Sequence, residues 1–264
     1  MQKYLSVFFL SLEQELYHRA SFLMDRARSI TILIAFYAFW STIFQDRATL
    51  LGYTKSQMFT YVLGMNVLRA LVFSDKTWEI IREINTGKIS AYLIRPISYV
   101  GYSISRDLSD KVMSLSSAIL EVLLAILVLA IPLYVPQHGA TFLAFIICVS
   151  LAILLYFLMS YAVSALAFWT AESAGPRFCF ELFLEFAAGA FFPLDVLPTY
   201  LRKLFEALPF ASLLFFPLNI LLERISPSQI LKGLLIQLVW IFIFAFITRT
   251  LWKKGLESYG AEGG

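Results

Sequence analysis

Between Thr141 and Trp169 the chain carries no charged side chain, and a run so long and so apolar leaves few ways to fold. About 20 consecutive apolar residues suffice to cross the hydrocarbon core of a bilayer as a helix. Lipid offers the backbone no hydrogen bonds, so such a segment must satisfy them within itself. Similar runs recur. Candidate spans are read at about Ile30 to Phe44, Ser56 to Phe73, Val112 to Tyr134, Thr141 to Trp169, Phe178 to Phe192 and Ile230 to Thr250. With 59% hydrophobic and only 15% charged residues among 264, about six spans would use nearly the whole chain. The expectation is an all-α polytopic membrane protein forming one transmembrane domain over residues 1–264. No room is left for a soluble domain of useful size.

Around these spans the sequence changes character. In residues 1–25, Leu5, Phe8, Phe9, Leu12, Leu16 and Leu23 fall at helical spacing, with Lys3, Glu13, Gln14, His18 and Arg19 elsewhere on the wheel. That pattern predicts a helix lying in the membrane interface. Its charges interrupt the apolar residues, so no cleavable leader is expected. The second candidate span is unusually polar, with Gln57, Thr60, Asn66 and Arg69, which predicts a face turned to protein or a water-filled cavity. From 193 to 229, Pro193, Pro198, Pro209, Pro217 and Pro227 recur too often for an unbroken helix. Leu201, Leu204, Phe205, Leu208 and Phe210 are nonetheless too apolar for a free loop, so short re-entrant helices in the outer leaflet are expected there. Trp252, Lys253 and Lys254 read as an interfacial anchor after the last span. Cys148 and Cys179 lie in or beside apolar runs, and no structural disulfide is expected.

Residues 74–98, SDKTWEIIREINTGKISAYLIRPIS, form a charged island between the second and third spans. Asp75 is placed to cap a short helix. Ile80, Ile81 and Ile84 give it an apolar edge, and Glu79, Arg82 and Glu83 a charged one. Gly87 suits a left-handed helix end, and Arg95-Pro96 forces extended backbone before the next helix. The order Arg82-Glu83, Gly87, then Ala91-Tyr92-Leu93-Ile94-Arg95-Pro96-Ile97-Ser98 resembles the loop after the second membrane helix of ABC type-2 permeases. Here the glycine stands four residues after Glu83, slightly further than in many members. Phe192-Pro193-Leu194, Leu197-Pro198 and Leu208-Pro209-Phe210 resemble the pattern before that family's last helix.

The resemblance implies the membrane subunit of a bacterial ABC exporter. In that family the loop is a coupling helix docked on an ATP-hydrolysing subunit, which places Trp78, Glu79, Arg82, Glu83, Gly87 and Lys88 at that contact. It also implies a second permease subunit, identical or paralogous, residence in the bacterial plasma membrane, and ATP and magnesium held by the partner ATPases. The sequence itself has no Gly-x-x-x-x-Gly-Lys-Ser/Thr loop: Gly87-Lys88 lacks both the earlier glycine and the following hydroxyl. No catalytic or metal-binding constellation surrounds His18 or His138, no cofactor is expected on this chain, and nothing points to nucleic acid. His138, beside Gly139, reads as a solvated loop residue.

Several carboxylates interrupt the apolar runs. Arg177, Glu181 and Glu185 fall at i, i+4 and i+8 in one column, continued by Gly189. Asp110, Ser114, Ser117 and Glu121 form a similar stripe. Two readings stand for these residues. Asn66, Glu181 and Glu185 line a substrate path, as the family's second and fifth helices do; or Arg177 pairs with Glu181 and the other acids bond to neighbouring helices. A proton-coupled transporter relaying through Glu121, Glu181 and Glu185, or a membrane-embedded lipid-modifying enzyme, would be the rival functions. The first lacks two similarly interrupted halves, and the second lacks clustered His, Asp or Ser.

Orientation follows from lysine and arginine placement. Arg47, Lys55, Arg202, Lys203, Arg224 and Lys232 fall on one side, and the remaining lysines and arginines on the other. By the positive-inside rule both termini and the 74–111 region are cytoplasmic. Lys88→Cys is therefore expected to react with an impermeant thiol reagent only from the cytoplasm, and Arg202→Cys only from outside. External labelling at position 88 would reverse the orientation.

Overall fold

The computed structural model describes residues 2–17, 19–170 and 172–262; His18 lies outside them. Helix α1 (Gln2–Tyr17) is followed by α2 (Arg19–Ile43). A minimal antiparallel pair, β1 (Thr49–Leu50) and β2 (Tyr53–Thr54), then turns the chain. Leu51 and Gly52 both take positive φ there, the conformation that joins two strands most tightly. Next come α3 (Lys55–Val72), α4 (Lys76–Asn85), α5 (Ile89–Leu93), α6 (Tyr99–Leu129) and α7 (Gly139–Ser164), the last prolonged to Phe168 by a 3₁₀ turn. The remainder is α8 (Ala174–Ala187), α9 (Thr199–Ala207), α10 (Phe215–Leu221) and α11 (Pro227–Glu262).

Among the described residues only three helices are long and apolar enough to cross a membrane: Tyr99–Leu129, Gly139–Phe168 and Pro227–Tyr259. The expectation of six spans is thereby corrected. The stretch Ile30 to Phe44 is the apolar end of α2, whose first turns carry Asp25, Arg26 and Arg28. Ser56 to Phe73 forms α3, whose 18 residues include Lys55, Gln57, Asn66 and Arg69. Phe178 to Phe192 yields the 14-residue α8, about 21 Å long at 1.5 Å per residue against a core of about 30 Å. Gly189, at φ +80°, breaks that helix, and the amide of Ala190 returns to the Glu185 carbonyl at 3.0 Å. The polar column therefore stops before Gly189.

Two finer expectations about the fold fall with the span count. Residues 193–229 form a 3₁₀ turn and the short helices α9 and α10, with Leu213, Leu214, Leu218 and Ile220 packed inside the protein; no re-entrant course is seen. Residues 74–98 form two helices, α4 and α5, which share a core with the ends of α6, α7 and α11, so no single free-standing coupling helix is present. Ile80, Ile81, Ile84 and Ile89 pack there with Tyr99, Tyr161, Phe168 and Trp252. Trp252 is buried, stacked on Tyr161 at 4.1 Å, with its indole N–H donating to the Tyr161 carbonyl at 2.8 Å. It locks helices together and is no surface anchor.

The larger core is built on α3, which buries Met58, Phe59, Tyr61, Leu63, Met65, Leu68 and Val72. A reciprocal capping box, Thr54 with Gln57, starts this helix. Asp75 makes no side-chain cap on α4; the Ser74 hydroxyl accepts the Lys76 amide at 3.2 Å. Gly87 takes φ +74° after α4, where a side chain would be strained. Helix α1 lies along α6: Tyr4 sits against Gly101, where an added Cβ would meet its ring at 2.7 Å, and its hydroxyl accepts the Ser98 amide at 3.1 Å. Leu5, Phe9 and Leu10 face outward from α1. The helix ends at Tyr17, so residues 19–25 belong to α2.

His138 is 77% exposed yet not merely solvated. Its Nδ1 lies 2.9 Å from Glu223, which also accepts the Gln137 and His138 amides and the Tyr134 hydroxyl. The Tyr134 hydroxyl chiefly, with those amides and His138, holds the Glu223 carboxyl down from 4.5 to about 2. A depressed carboxyl contributes stability above its unfolded value and loses it as pH falls toward the folded one. The α6–α7 loop is thus expected to keep its hydrogen-exchange protection at neutral pH and lose it between about pH 4.5 and pH 2. Glu223→Gln should speed exchange of the Gln137 and His138 amides already at pH 7.

Candidate functional site, a polar and aromatic cavity

Helices α2, α3, α6 and α8 enclose a cavity of about 520 Å³, with the start of α4 at one end. Its size suits a small organic molecule. The sequence-predicted path residues Asn66, Glu181 and Glu185 all line it. Each is held by a polar partner. Glu185 meets the Arg69 guanidinium of α3 at 2.5 Å, a pairing across two helices that no local spacing reveals. Glu181 receives Arg177 at 2.6 Å and the Trp78 indole N–H at 3.1 Å. Asn66 donates to Glu121 at 3.1 Å, and Glu121 also accepts Ser29 at 2.6 Å and lies 3.4 Å from Arg26.

Every glutamate of the proton-relay reading therefore has an arginine beside it: Arg26 with Glu121, Arg177 with Glu181, Arg69 with Glu185. Each carboxylate is thus engaged by a fixed positive charge, where a relay would want acids free to exchange protons with one another. Arg26–Glu121 joins α2 to α6, Arg69–Glu185 joins α3 to α8, and the Asn66–Glu121 hydrogen bond links the two sets around the cavity.

The residues assigned by resemblance to the ATPase contact divide into two groups. Arg82, Gly87 and Lys88 are exposed. Trp78 points the other way and lines the cavity. Glu79 and Glu83 turn toward α6: both pair with Arg106, Glu83 at 2.7 Å, and Glu83 also accepts the Tyr99 hydroxyl at 2.5 Å. Burial is the main influence raising the Glu83 carboxyl above its ordinary range. Lys76 joins this network through Glu79 and through Glu15 of α1. The heptad-like edge of Glu79 and Glu83 is thus an intramolecular clamp. Helical spacing separated the apolar edge of α4 correctly, but it could not tell which charged residues meet α6 and which meet solvent.

Sequence reasoning missed Arg69 as the partner of Glu185 and Trp78 as part of the cavity. Arg69 was noticed only as one polar residue of a span, and Trp78 was assigned by resemblance to the ATPase contact, with no local signal that its ring turns inward. Among the described residues no group of His, Cys, Asp and Glu is arranged to hold a metal ion.

If the Arg69–Glu185 pair is structural, Glu185→Leu strands a half-buried guanidinium and should lower stability by about 1–3 kcal/mol. Thermal unfolding of the detergent-solubilised protein measures this. Arg69→Met combined with Glu185→Leu should recover most of the loss, because no lone charge remains; additive losses would deny the coupling.

Residues 30–263 match a family model described as ABC-2 family transporter protein. No curated protein matches the chain.

Proposed function

The chain belongs to the ABC-2 transporter family, and from that premise we propose that it is the permease subunit of an ATP-driven exporter, with the cavity as part of its substrate path. As a permease it is the non-catalytic, membrane-embedded component of a transport system. In this reading separate ATPase subunits carry ATP and magnesium, and a second permease subunit completes the path. Both termini and residues 74–98 face the cytoplasm.

The observation that supports this reading is the direct connection between α4 and the cavity. Trp78 of α4 donates to Glu181 in the cavity wall, and the adjacent Thr77 hydroxyl accepts from Arg177, which grips the same Glu181. The opposite side of this region exposes Arg82, Lys88 and Arg95 beside Leu93 and Ile94, the latter 87% exposed. Such a mixed basic and apolar surface suits a protein partner with an acidic, apolar recess. An ATPase that pushed on this surface would displace α4 and so move the cavity wall. Gly87, at positive φ, ends α4 and allows α5 to start two residues later.

Two variants separate docking from transmission. Arg82→Glu with Lys88→Glu should reduce co-purification of the ATPase subunit, most strongly at low salt, while membrane insertion stays normal. Trp78→Phe should leave the ATPase bound and reduce substrate-stimulated ATP hydrolysis severalfold, because the indole N–H to Glu181 is lost while an aromatic ring stays beside Arg177. Unchanged ATPase association in the first variant would overturn the docking surface. Unchanged stimulation in the second would remove Trp78 from the transmission route.

A further inference from the structure

The cavity has two chemically different ends. Helix α2 runs along it from Asp25 to Trp40, about 22 Å at 1.5 Å per residue. Antiparallel to it, α3 runs from Tyr61 to Arg69 and on to Phe73, with Ser29 bonded to Asn66 midway. At the Trp40 and Tyr61 end the lining is aromatic and aliphatic, with Leu184, Ala190, Phe191 and Phe192. The lining also carries Asp25, Asp75 and Asp110, with Asp75 near enough to Asp110 to act on it.

The charges do not balance. Glu15, Glu181 and Glu185 are each paired with a cation, Lys76, Arg177 and Arg69, and Arg26 is paired with Glu121. Asp25, Asp75 and Asp110 form no ion pair among the described residues; Lys76 and Lys111 act on Asp110 from nearby but are bonded to Glu15, Glu79 and Asp107, and Arg28 is the one unpaired cation of the described lining. Two negative charges therefore remain in excess. Asp110 is half-buried on α6, where the surrounding protein screens its field less than bulk water would.

We propose that this cavity selects an amphipathic organic cation, its positive group held near Asp110, Asp75 and Asp25 and its apolar body lying toward Trp40, Tyr61 and Phe192. The inference rests on the reading of the cavity as the substrate path and adds the chemical class of what enters it. A small inorganic cation would leave the aromatic end unused. An organic anion would meet only Arg28 as a free opposite charge.

Tetraphenylphosphonium and tetraphenylborate have nearly the same shape and opposite charge, so they isolate the electrostatic contribution. Binding to the full chain in detergent, without any ATPase, can be followed by quenching of the protein's tryptophans, with empty micelles subtracted. The phosphonium should bind at least about tenfold more tightly than the borate. Asp110→Asn should reduce that preference several-fold, and Asp110→Glu should retain it. Should Asp110→Asn fail to fold, Asp75→Asn on the exposed edge should reduce the preference by a smaller factor. Equal binding of the two probes, or a preference untouched by a folded Asp110→Asn protein, overturns the proposal. Cation preference in a chain that captures no ATPase would instead refute the ATP-driven reading while leaving this one standing. An ATPase-bound chain with no cation preference would do the reverse.

Discussion

The arrangement around the cavity depends on one buried cation. Arg177, at 0% exposure, is the largest fully buried side chain described, and its guanidinium reaches three helices at once. It pairs with Glu181 on its own helix, bonds to Thr77 of α4, and lies 3.5 Å from the Tyr156 hydroxyl of α7. The rings of Trp78 and Phe180 lie within 6 Å of its charge. A buried guanidinium left without such partners would cost several kcal/mol, so the helices that supply them are held to one geometry. Removing Glu181 or Thr77 would free more than one contact, since both meet at this point.

From this centre the other ion pairs extend in two directions. Toward the cavity, Arg69–Glu185 joins α3 to α8, and Arg26–Glu121 joins α2 to α6. Toward the 74–98 region, Arg106 holds Glu79 and Glu83, and Lys76 reaches Glu15. Helix α4 lies between the two sets. It is clamped by charges on one side and by a buried isoleucine edge beneath, and it leaves Arg82 and Lys88 free at the surface. A helix held on two sides in this way joins the cavity wall to the 74–98 surface through direct contacts.

The fold was legible in the sequence where hydrophobicity decided it. Val112 to Tyr134, Thr141 to Trp169 and Ile230 to Thr250 each fall on a helix able to cross a membrane, because a long apolar run has no other way to satisfy its backbone. Ser56 to Phe73 and Phe178 to Phe192 misled because their polar groups are spent inside the protein. Arg69 and Glu185 neutralise one another between α3 and α8, so two segments that looked like costly spans are instead walls of a polar cavity. Periodicity also placed Ile80, Ile81 and Ile84 on one buried edge of α4, but the inward turn of Glu83 came from Arg106 and Tyr99, which are distant enough in sequence to leave no local signal.

By itself the sequence determined the helical, membrane-embedded character of the chain, the left-handed helix end at Gly87 and the Arg177–Glu181 pair, since each rests on composition or on contacts within one turn of helix. The tertiary structure alone decided that Asn66, Trp78, Glu181 and Glu185 share one cavity, that Trp252 is interior, and that Asp25, Asp75 and Asp110 are left without an ion pair in the cavity lining. Those outcomes depend on which helix faces which, and charge pairing between remote segments sets that facing.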